Sequence, residues 1–327
     1  MFEAADARPH LPVSLVTGFL GSGKTTLLNR LLRDPAMANT AVIVNEFGDV
    51  ALDQLFIERS DGEVVVMANG CLCCTVQGDL EAVIGTLYAR RGAGDLPRFD
   101  RLLIETTGLA DPAPILQLIL GKPAIAGNFA LDAVIATVDA LHGGRQLDEH
   151  PEAVKQAALA DRIVITKTDL AARDAADRLA ARLGAINPLA RQFRAPGERP
   201  APAELFGVEH GEKWHGRVAV AAHEHLHEIE TFSLAAGRPL PWHEFRRWLG
   251  RIAIREGERL LRVKGIVAIE GEESMIAIHG VHHVFHPPER LPHASAAGAQ
   301  SRLVFITRGD VRAAIEQEWR AFLSRLE

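Results

Sequence analysis

Cysteine is scarce: the chain has three in 327 residues, and all three fall between Cys71 and Cys74. So tight a cluster cannot staple a small secreted fold, which excludes a disulfide framework and points to a metal or redox site. Long apolar runs are missing as well. No stretch could span a bilayer, and Met1 to Pro12 carries acidic residues without an apolar segment, so neither a signal nor a transit peptide is expected and the protein is read as cytoplasmic. Positive charge is not in excess either. A formal net charge of −6 argues against a general nucleic-acid binder or an anionic-membrane binder.

What is present suits two domains, one of them large enough to bury both faces of a parallel sheet. Residues 13 to 26 run from a buried strand through a glycine-rich turn into a helix. The spacing G-x-x-x-x-G-K-T from Gly18 to Thr25 is that of a phosphate-binding loop. In such a loop successive backbone N–H groups turn inward at the positive end of a helix dipole, where phosphate oxygens bind. Gly18, Gly21 and Gly23 allow close backbone approach. Gly21, Ser22, Gly23, Lys24, Thr25 and Thr26 are the expected nucleotide contacts. Lys24 would neutralise the β- and γ-phosphates, and the Thr25 hydroxyl would ligate Mg²⁺.

Further strands follow at Ala41 to Val44, ending in Asn45-Glu46-Phe47-Gly48-Asp49, and at Glu63 to Met67, ahead of the cysteines. A helix is expected from Val76 to Arg90. Arg101 to Ile104 is a strand that delivers Glu105-Thr106-Thr107-Gly108, with a short helix after Asp111-Pro112. Leu131 to Val138 is a strand, Pro151 to Ala160 a helix, and Arg162 to Ile165 a strand that delivers Thr166-Lys167-Thr168-Asp169. Strands alternating with helices predict an α/β fold, an open and mostly parallel sheet with helices on both faces.

A phosphate loop followed by an acidic strand end is the pairing of a nucleotide hydrolase. Glu105 takes the second acidic position, and Gly108 can donate its N–H to a γ-phosphate. Lys24, Glu105 and Gly108 are therefore the candidate catalytic residues. Lys167 and Asp169 resemble a guanine-selecting signature, in which one carboxylate accepts from two adjacent base donors. Adenine lacks that pair, so GTP is expected over ATP.

The three sulfurs converge only if the loop after Gly70 is curled. Soft thiolates suit Zn²⁺ or Cu(I), and three of them leave a fourth position for another ligand or for a client's own ligand. Structural thiols or a redox pair are the alternatives. Glu46 is a candidate additional ligand or coupling residue. Histidine is skewed, with eleven of fourteen from His210 onward. His223, His225 and His227 alternate and could capture a metal weakly, although linker histidines are commonly just solvated. His279, His282, His283 and His286 are read as packed or exposed side chains.

A composition shift near Arg194 places a polar, His-containing linker at 206–228, between a P-loop domain at 1–205 and a smaller α+β domain at 229–327. In that last domain strands are expected at Glu230 to Leu234, Leu260 to Glu270, Met275 to Ile278 and Leu303 to Ile306. Helices are expected from Trp242 to Ile254 and from Asp310, with a loop from Pro287 to Ala299.

These motifs together resemble the CobW family of metal-handling GTPases. The likeness rests on Thr17 to Thr26, Asn45 to Gly48, Gly70 to Cys74, Glu105 to Gly108, Gln156 with Ala160-Asp161, Lys167 to Leu170, Arg262 to Gly265 and Leu303 to Ile306. It implies a metallochaperone for zinc, or for cobalt, in which GTP binding and hydrolysis control metal loading at Cys71, Cys73 and Cys74 and transfer to a client metalloprotein. A homodimer is compatible with it. Two residues depart from the wider GTPase pattern: Thr166 stands where many have Asn, and Glu105 where most have Asp. A regulatory or assembly GTPase with structural cysteines, and a passive zinc buffer, are the rival readings.

Overall fold

The computed structural model describes residues 10–44, 54–58, 64–68, 76–207 and 229–326. Glu46, the three cysteines, and His210, His215, His223, His225 and His227 lie outside them.

The N-terminal part runs β1 (Leu11–Gly18), α1 (Lys24–Leu32), β2 (Thr40–Val44), β3 (Gln54–Glu58), β4 (Val64–Ala68), α2 (Val76–Ala93) and β5 (Arg101–Glu105). It continues through α3 (Ala113–Gly121), α4 (Pro123–Ala126), β6 (Phe129–Asp139), α5 (Gly143–Glu149), α6 (Pro151–Leu159), β7 (Arg162–Thr166), α7 (Arg173–Ile186), β8 (Arg191–Arg194) and α8 (Pro202–Leu205). The strands lie in the order β4-β3-β2-β5-β1-β6-β7-β8. From β2 to β8 all pairings are parallel, while β3 and β4 add an antiparallel edge. Central strands are apolar along nearly their whole length because helices cover both faces, so alternation has no polar face to mark. The expected mostly parallel α/β architecture is what the chain adopts. Six N-terminal elements, β3, α4, α5, α7, β8 and α8, have no counterpart in the expected order.

The C-terminal part runs β9 (Ile229–Ala236), α9 (Trp242–Glu256), β10 (Leu260–Val267), β11 (Ser274–Val281), β12 (Val284–Phe285), β13 (Glu289–Ser295), β14 (Ser301–Arg308) and α10 (Arg312–Ser324). Its sheet is antiparallel, ordered β12-β11-β10-β14-β9 with β13 on β11. The expectation of a loop from Pro287 to Ala299 is corrected here: Glu289–Ser295 is a strand at the edge. The register jumps from Met275–Leu291 to Ser274–Ser295, so Pro292, which has no N–H to give, falls in the irregularity. Helices α9 and α10 cover one face of this sheet with Phe245, Trp248, Trp319 and Phe322.

The opposite face packs on the N-terminal domain. Residues of β10 alternate between the two sides: Val263 and Val267 join the α9/α10 core, whereas Arg262 and Lys264 meet Asp161. A bulge between Leu260 and Arg262 inserts a residue, so Leu261 turns to the same side as Arg262 and packs with α6 and α7 residues. Asp161 is 2% exposed and accepts from Arg262, from Lys264 and, at 2.9 Å, from the Val134 N–H. Arg262 also donates to the Leu159 carbonyl. Desolvation pulls the Lys264 ammonium down to about 8 despite Asp161. A second contact is made by the turn between β11 and β12: Val281 joins the core containing α3, and Val284 lies over Gly121.

Breaking a buried ion pair strands the remaining charge, so Asp161→Ala is expected to lower unfolding stability by about 3 to 5 kcal/mol in denaturant titration. Lys264→Met, which keeps the Arg262 pair, should cost little or stabilise at neutral pH. Between pH 8 and about 10.5 the folded chain has shed a proton that the unfolded chain keeps, so wild-type stability gains on Lys264→Met as pH rises through that window. Denaturation of both proteins at pH 7.5 and pH 9.5 checks the sign; a gap that does not move excludes a depressed Lys264.

Candidate nucleotide site

The turn between β1 and α1 is shaped by three glycines with positive φ, Gly18 at 140°, Gly21 at 70° and Gly23 at 93°. Side chains rarely adopt this region, and at Gly18 a Cβ would also stand 2.4 Å from the Thr137 carbonyl. The turn closes through Ser22 N–H to the Phe19 carbonyl at 3.1 Å. It is tied from below by hydroxyls at neighbouring strand ends. Ser22 Oγ and Thr137 Oγ1 are 2.6 Å apart, and Thr166 Oγ1 donates to the Ser22 carbonyl at 2.7 Å. The first turn of α1 holds no acidic residue and no side-chain cap, which leaves its N–H groups for an anion.

Above this turn lies a cavity of about 380 Å³ lined by Leu20, Gly21, Gly23, Lys24, Thr25, Thr26, Thr107, Gly108 and Leu109. Lys24 is buried, with Nζ donating to the carbonyls of Gly18 at 2.9 Å and Phe19 at 3.2 Å. Thr25 Oγ1 donates to Glu105 Oε1 at 2.6 Å. Parallel pairing of β1 with β5 sets this contact, since both strands end at the same edge and their next elements start side by side. Gly108 presses against the loop so closely that a Cβ would lie 2.6 Å from the Leu20 nitrogen. Of the six phosphate-loop contacts expected from Gly21 to Thr26, Ser22 alone does not line the cavity, its hydroxyl engaged by Thr137, and neither Lys167 nor Asp169 is among the lining residues.

On the far side β7 delivers the Thr166 to Asp169 segment. Lys167 has φ 55° and Nζ donates to Asp139 Oδ2 at 2.5 Å. Thr168 donates to the Ala195 carbonyl through both N–H, at 3.1 Å, and Oγ1, at 2.8 Å. Asp169 is left exposed at the loop tip. The Thr in place of Asn thus has its own task, anchoring the phosphate loop.

Three residues with no role assigned from sequence stand out. Thr107 lines the cavity with a buried hydroxyl that has no hydrogen-bond partner. Asp139 receives Lys167. Gln156, on α6, donates its Nε2 to the carbonyls of Gly108 at 3.1 Å and Ala110 at 3.0 Å. Among the described residues no cluster of three or more His, Cys, Asp or Glu could hold a metal ion. His279 and His282 are packed, as expected, with His282 Nδ1 3.1 Å from the Gly257 carbonyl.

Sheet order, phosphate loop and strand-end cavity define a P-loop nucleoside-triphosphatase fold. The chain belongs to the CobW/HypB/UreG family: residues 12–194 match its nucleotide-binding domain and residues 229–323 match the cobalamin synthesis protein cobW C-terminal domain. It is 33% identical to the zinc chaperone YjiA of Escherichia coli, over 84% of this chain and 87% of that one. It is 34% identical to the zinc chaperone CobW of Pseudomonas aeruginosa, over 96% and 92%. The crystal structure of Zn(II)-bound YjiA GTPase superposes with a TM-score of 0.73 at 29% identity, covering 97% of this chain and 99% of that one.

Thr166→Val removes the hydroxyl that anchors the Ser22 carbonyl and is expected to cost about 1 to 3 kcal/mol of stability, the range for a buried acceptor left unsatisfied. Thr166→Ser, which keeps the hydroxyl, should lose much less. Guanidinium titration of the two variants decides it, and equal losses would mean that the methyl, not the hydrogen bond, matters.

Proposed function

We propose that the protein is a GTP-hydrolysing zinc metallochaperone, which binds zinc at Cys71, Cys73 and Cys74, with Glu46 as a further ligand, and passes it to a client protein under control of the GTP cycle. The observation that carries the nucleotide half is the 2.6 Å contact between Thr25 and Glu105 at the edge of the cavity against which Gly108 is pressed. The zinc half is supported by the cysteine cluster and by relatives named zinc chaperones over nearly the same length. The reading divides the chain into a GTPase domain at 1–205, a linker at 206–228 and a C-terminal domain at 229–327. A cytoplasmic setting fits thiols that must stay reduced, and the acidic net charge fits partners other than nucleic acid or membrane.

Hydroxyl and carboxylate oxygens so close together are the hard donor set that Mg²⁺ prefers, so Thr25 and Glu105 would hold it, directly or through water. When bound, the ion supplies neutralisation of charge on the β- and γ-phosphates. Lys24 would swing from the carbonyls of Gly18 and Phe19 to reach the phosphates from the cavity wall. Backbone N–H groups of the loop and of Gly108 stabilise charge where it develops as water attacks the γ-phosphate. Thr107 Oγ1 is placed to orient a γ-phosphate oxygen or that water. Lys167 and Asp169 select guanine. No side chain at the cavity is assigned as general base.

Lys24→Ala is expected to abolish GTP hydrolysis without unfolding the chain; unchanged phosphate release by a folded variant would end the GTPase reading. Asp169→Asn should weaken GTP binding by about 1.5 to 3 kcal/mol while ATP binding hardly changes. For the metal, competition against a zinc chelator is expected to give tighter zinc binding with a non-hydrolysable GTP analogue than with GDP, by about 1 to 3 kcal/mol. Equal affinities would leave hydrolysis nothing to release and would reduce the protein to a buffer.

A further inference from the structure

Gln156 and Asp161 serve neither phosphate binding nor base recognition, yet both are buried and both hold partners in other elements. Gln156 sits on the buried face of α6, between Ala153 and Ala157, where an apolar residue would be ordinary. Its amide instead bridges the carbonyls of Gly108 and Ala110, the segment at the cavity wall. One residue earlier, Lys155 donates to Asp111 Oδ2 at 2.6 Å, and Asp111 Oδ1 accepts from the Ala113 N–H at 3.0 Å where α3 begins. The N-cap of α6, His150, stacks on Phe19 of the phosphate loop with ring centroids 4.4 Å apart. Helix α6 therefore touches the phosphate loop at its start and the Gly108 segment along its side.

Its other end belongs to the C-terminal domain. Leu159 and Asp161 take Arg262 and Lys264 of β10. The β11–β12 turn reaches back to the same region: Val284 lies over Gly121 at the end of α3, and His282 is buried close enough to Asp111 and Lys155 for both charges to act on its imidazole, although burial is what mainly holds that group below its usual range. The C-terminal sheet thus grips α6 and α3, the two elements that hold the Gly108 segment.

We infer that α6 is the coupling element of this protein, with Gln156 as a positioning residue that reports the place of Gly108 and Asp161 as the joint that passes the displacement of α6 to the C-terminal domain. The inference rests on the reading that Gly108 meets the γ-phosphate. A γ-phosphate that draws the Gly108 N–H inward shifts the two carbonyls held by Gln156. Because α6 is only about 14 Å long, at 1.5 Å per residue, it moves as a rigid rod, and β10 follows. Occupancy at the nucleotide cavity would then set how the C-terminal sheet lies on the GTPase domain, and hence which of its surfaces a client meets.

Hydrogen exchange of the full chain, with GDP and with a non-hydrolysable GTP analogue, tests this, with nucleotide affinities measured on the same samples. In the wild type, amides of β10 and of the β11–β12 turn are expected to exchange differently in the two states. Gln156→Met, which keeps the volume and removes both donors, should still bind GDP but lose that difference. Lys264→Met acts from the other end: it lies outside the cavity lining, and by reciprocity it should change the ratio of GTP-analogue to GDP affinity by about fivefold or more. Exchange at β10 that is the same in both states, or a Gln156→Met protein that keeps the wild-type difference, overturns the coupling role. So does an unchanged affinity ratio in Lys264→Met. Failure to bind either guanine nucleotide would instead remove the functional reading on which the inference stands.

Discussion

A carboxylate with almost no access to water must be matched by cations, and Asp161 is matched by two that come from another domain. That requirement fixes how two parts of the molecule lie. It sets which face of β10 meets the GTPase domain, because Arg262 and Lys264 must point to Asp161 while Val263 points to the α9/α10 core. It also sets the position of β7, since Asp161 holds the Val134 N–H of β6 with its second oxygen and β7 begins at the next residue. The cost of burying three charges is visible in Lys264, which burial drags to about 8. Such clusters are seldom the cheapest way to hold two surfaces together, and an apolar contact would stabilise as well. What they add is a defined register, because sliding β10 by one residue would turn both cations away from the carboxylate.

The nucleotide cavity depends on a different economy. Strands β1, β5, β6 and β7 end at one edge, and Thr recurs near or just past their ends: Thr17, Thr106, Thr137 and Thr166. Thr106 donates to Thr17 at 2.9 Å, Ser22 shares a hydrogen bond with Thr137, and Thr166 holds the Ser22 carbonyl. These groups are buried beneath a loop whose purpose is to present N–H groups upward. Hydroxyls are suited to that place because each both donates and accepts, so the network is satisfied without placing a net charge under a site meant for an anion.

Much of this was legible in the sequence, and the reason is local chemistry. The G-x-x-x-x-G-K-T spacing specifies its own loop, and apolar runs ending in polar tips specify parallel strands that deliver residues to one edge. The polar joints were less visible because their partners are distant in sequence. Gln156 is separated from Gly108 by 48 residues and Asp161 from Lys264 by 103. Signals did exist. A glutamine on the apolar face of a short helix, and two cations at alternate positions of the otherwise apolar Leu260–Val267 strand, are each anomalies that ask for a buried partner. The strand at Glu289–Ser295 was hidden for another reason: Pro, Ala and Ser weaken strand propensity, and only its edge position on β11 makes the pairing tolerable. Thr166 showed in the sequence only as a departure from the Asn of many GTPases, whereas its hydroxyl anchors the phosphate loop.

The two ends of α6 differ in kind, and the difference decides how a displacement would travel. At Gln156 the joint is a pair of neutral hydrogen bonds, each contributing about 1 kcal/mol net. At Asp161 it is a buried ionic cluster, whose rupture costs several kcal/mol because charge is left without a partner. Read by net strength alone, strain arriving from the cavity should stop at Gln156. Its setting argues otherwise. The amide is 1% exposed and its Oε1 already lacks a hydrogen-bond partner, so letting go of Gly108 and Ala110 would leave the amide donors and the buried Gly108 carbonyl unsatisfied. Each such group costs about 1 to 3 kcal/mol, which brings the weaker joint close to the stronger one. Moving the Gly108 segment, α6 and β10 together avoids both penalties, and the yielding surface then becomes the apolar packing around α6, where small residues such as Ala153, Ala157 and Ala158 let a helix slide with little change in contact.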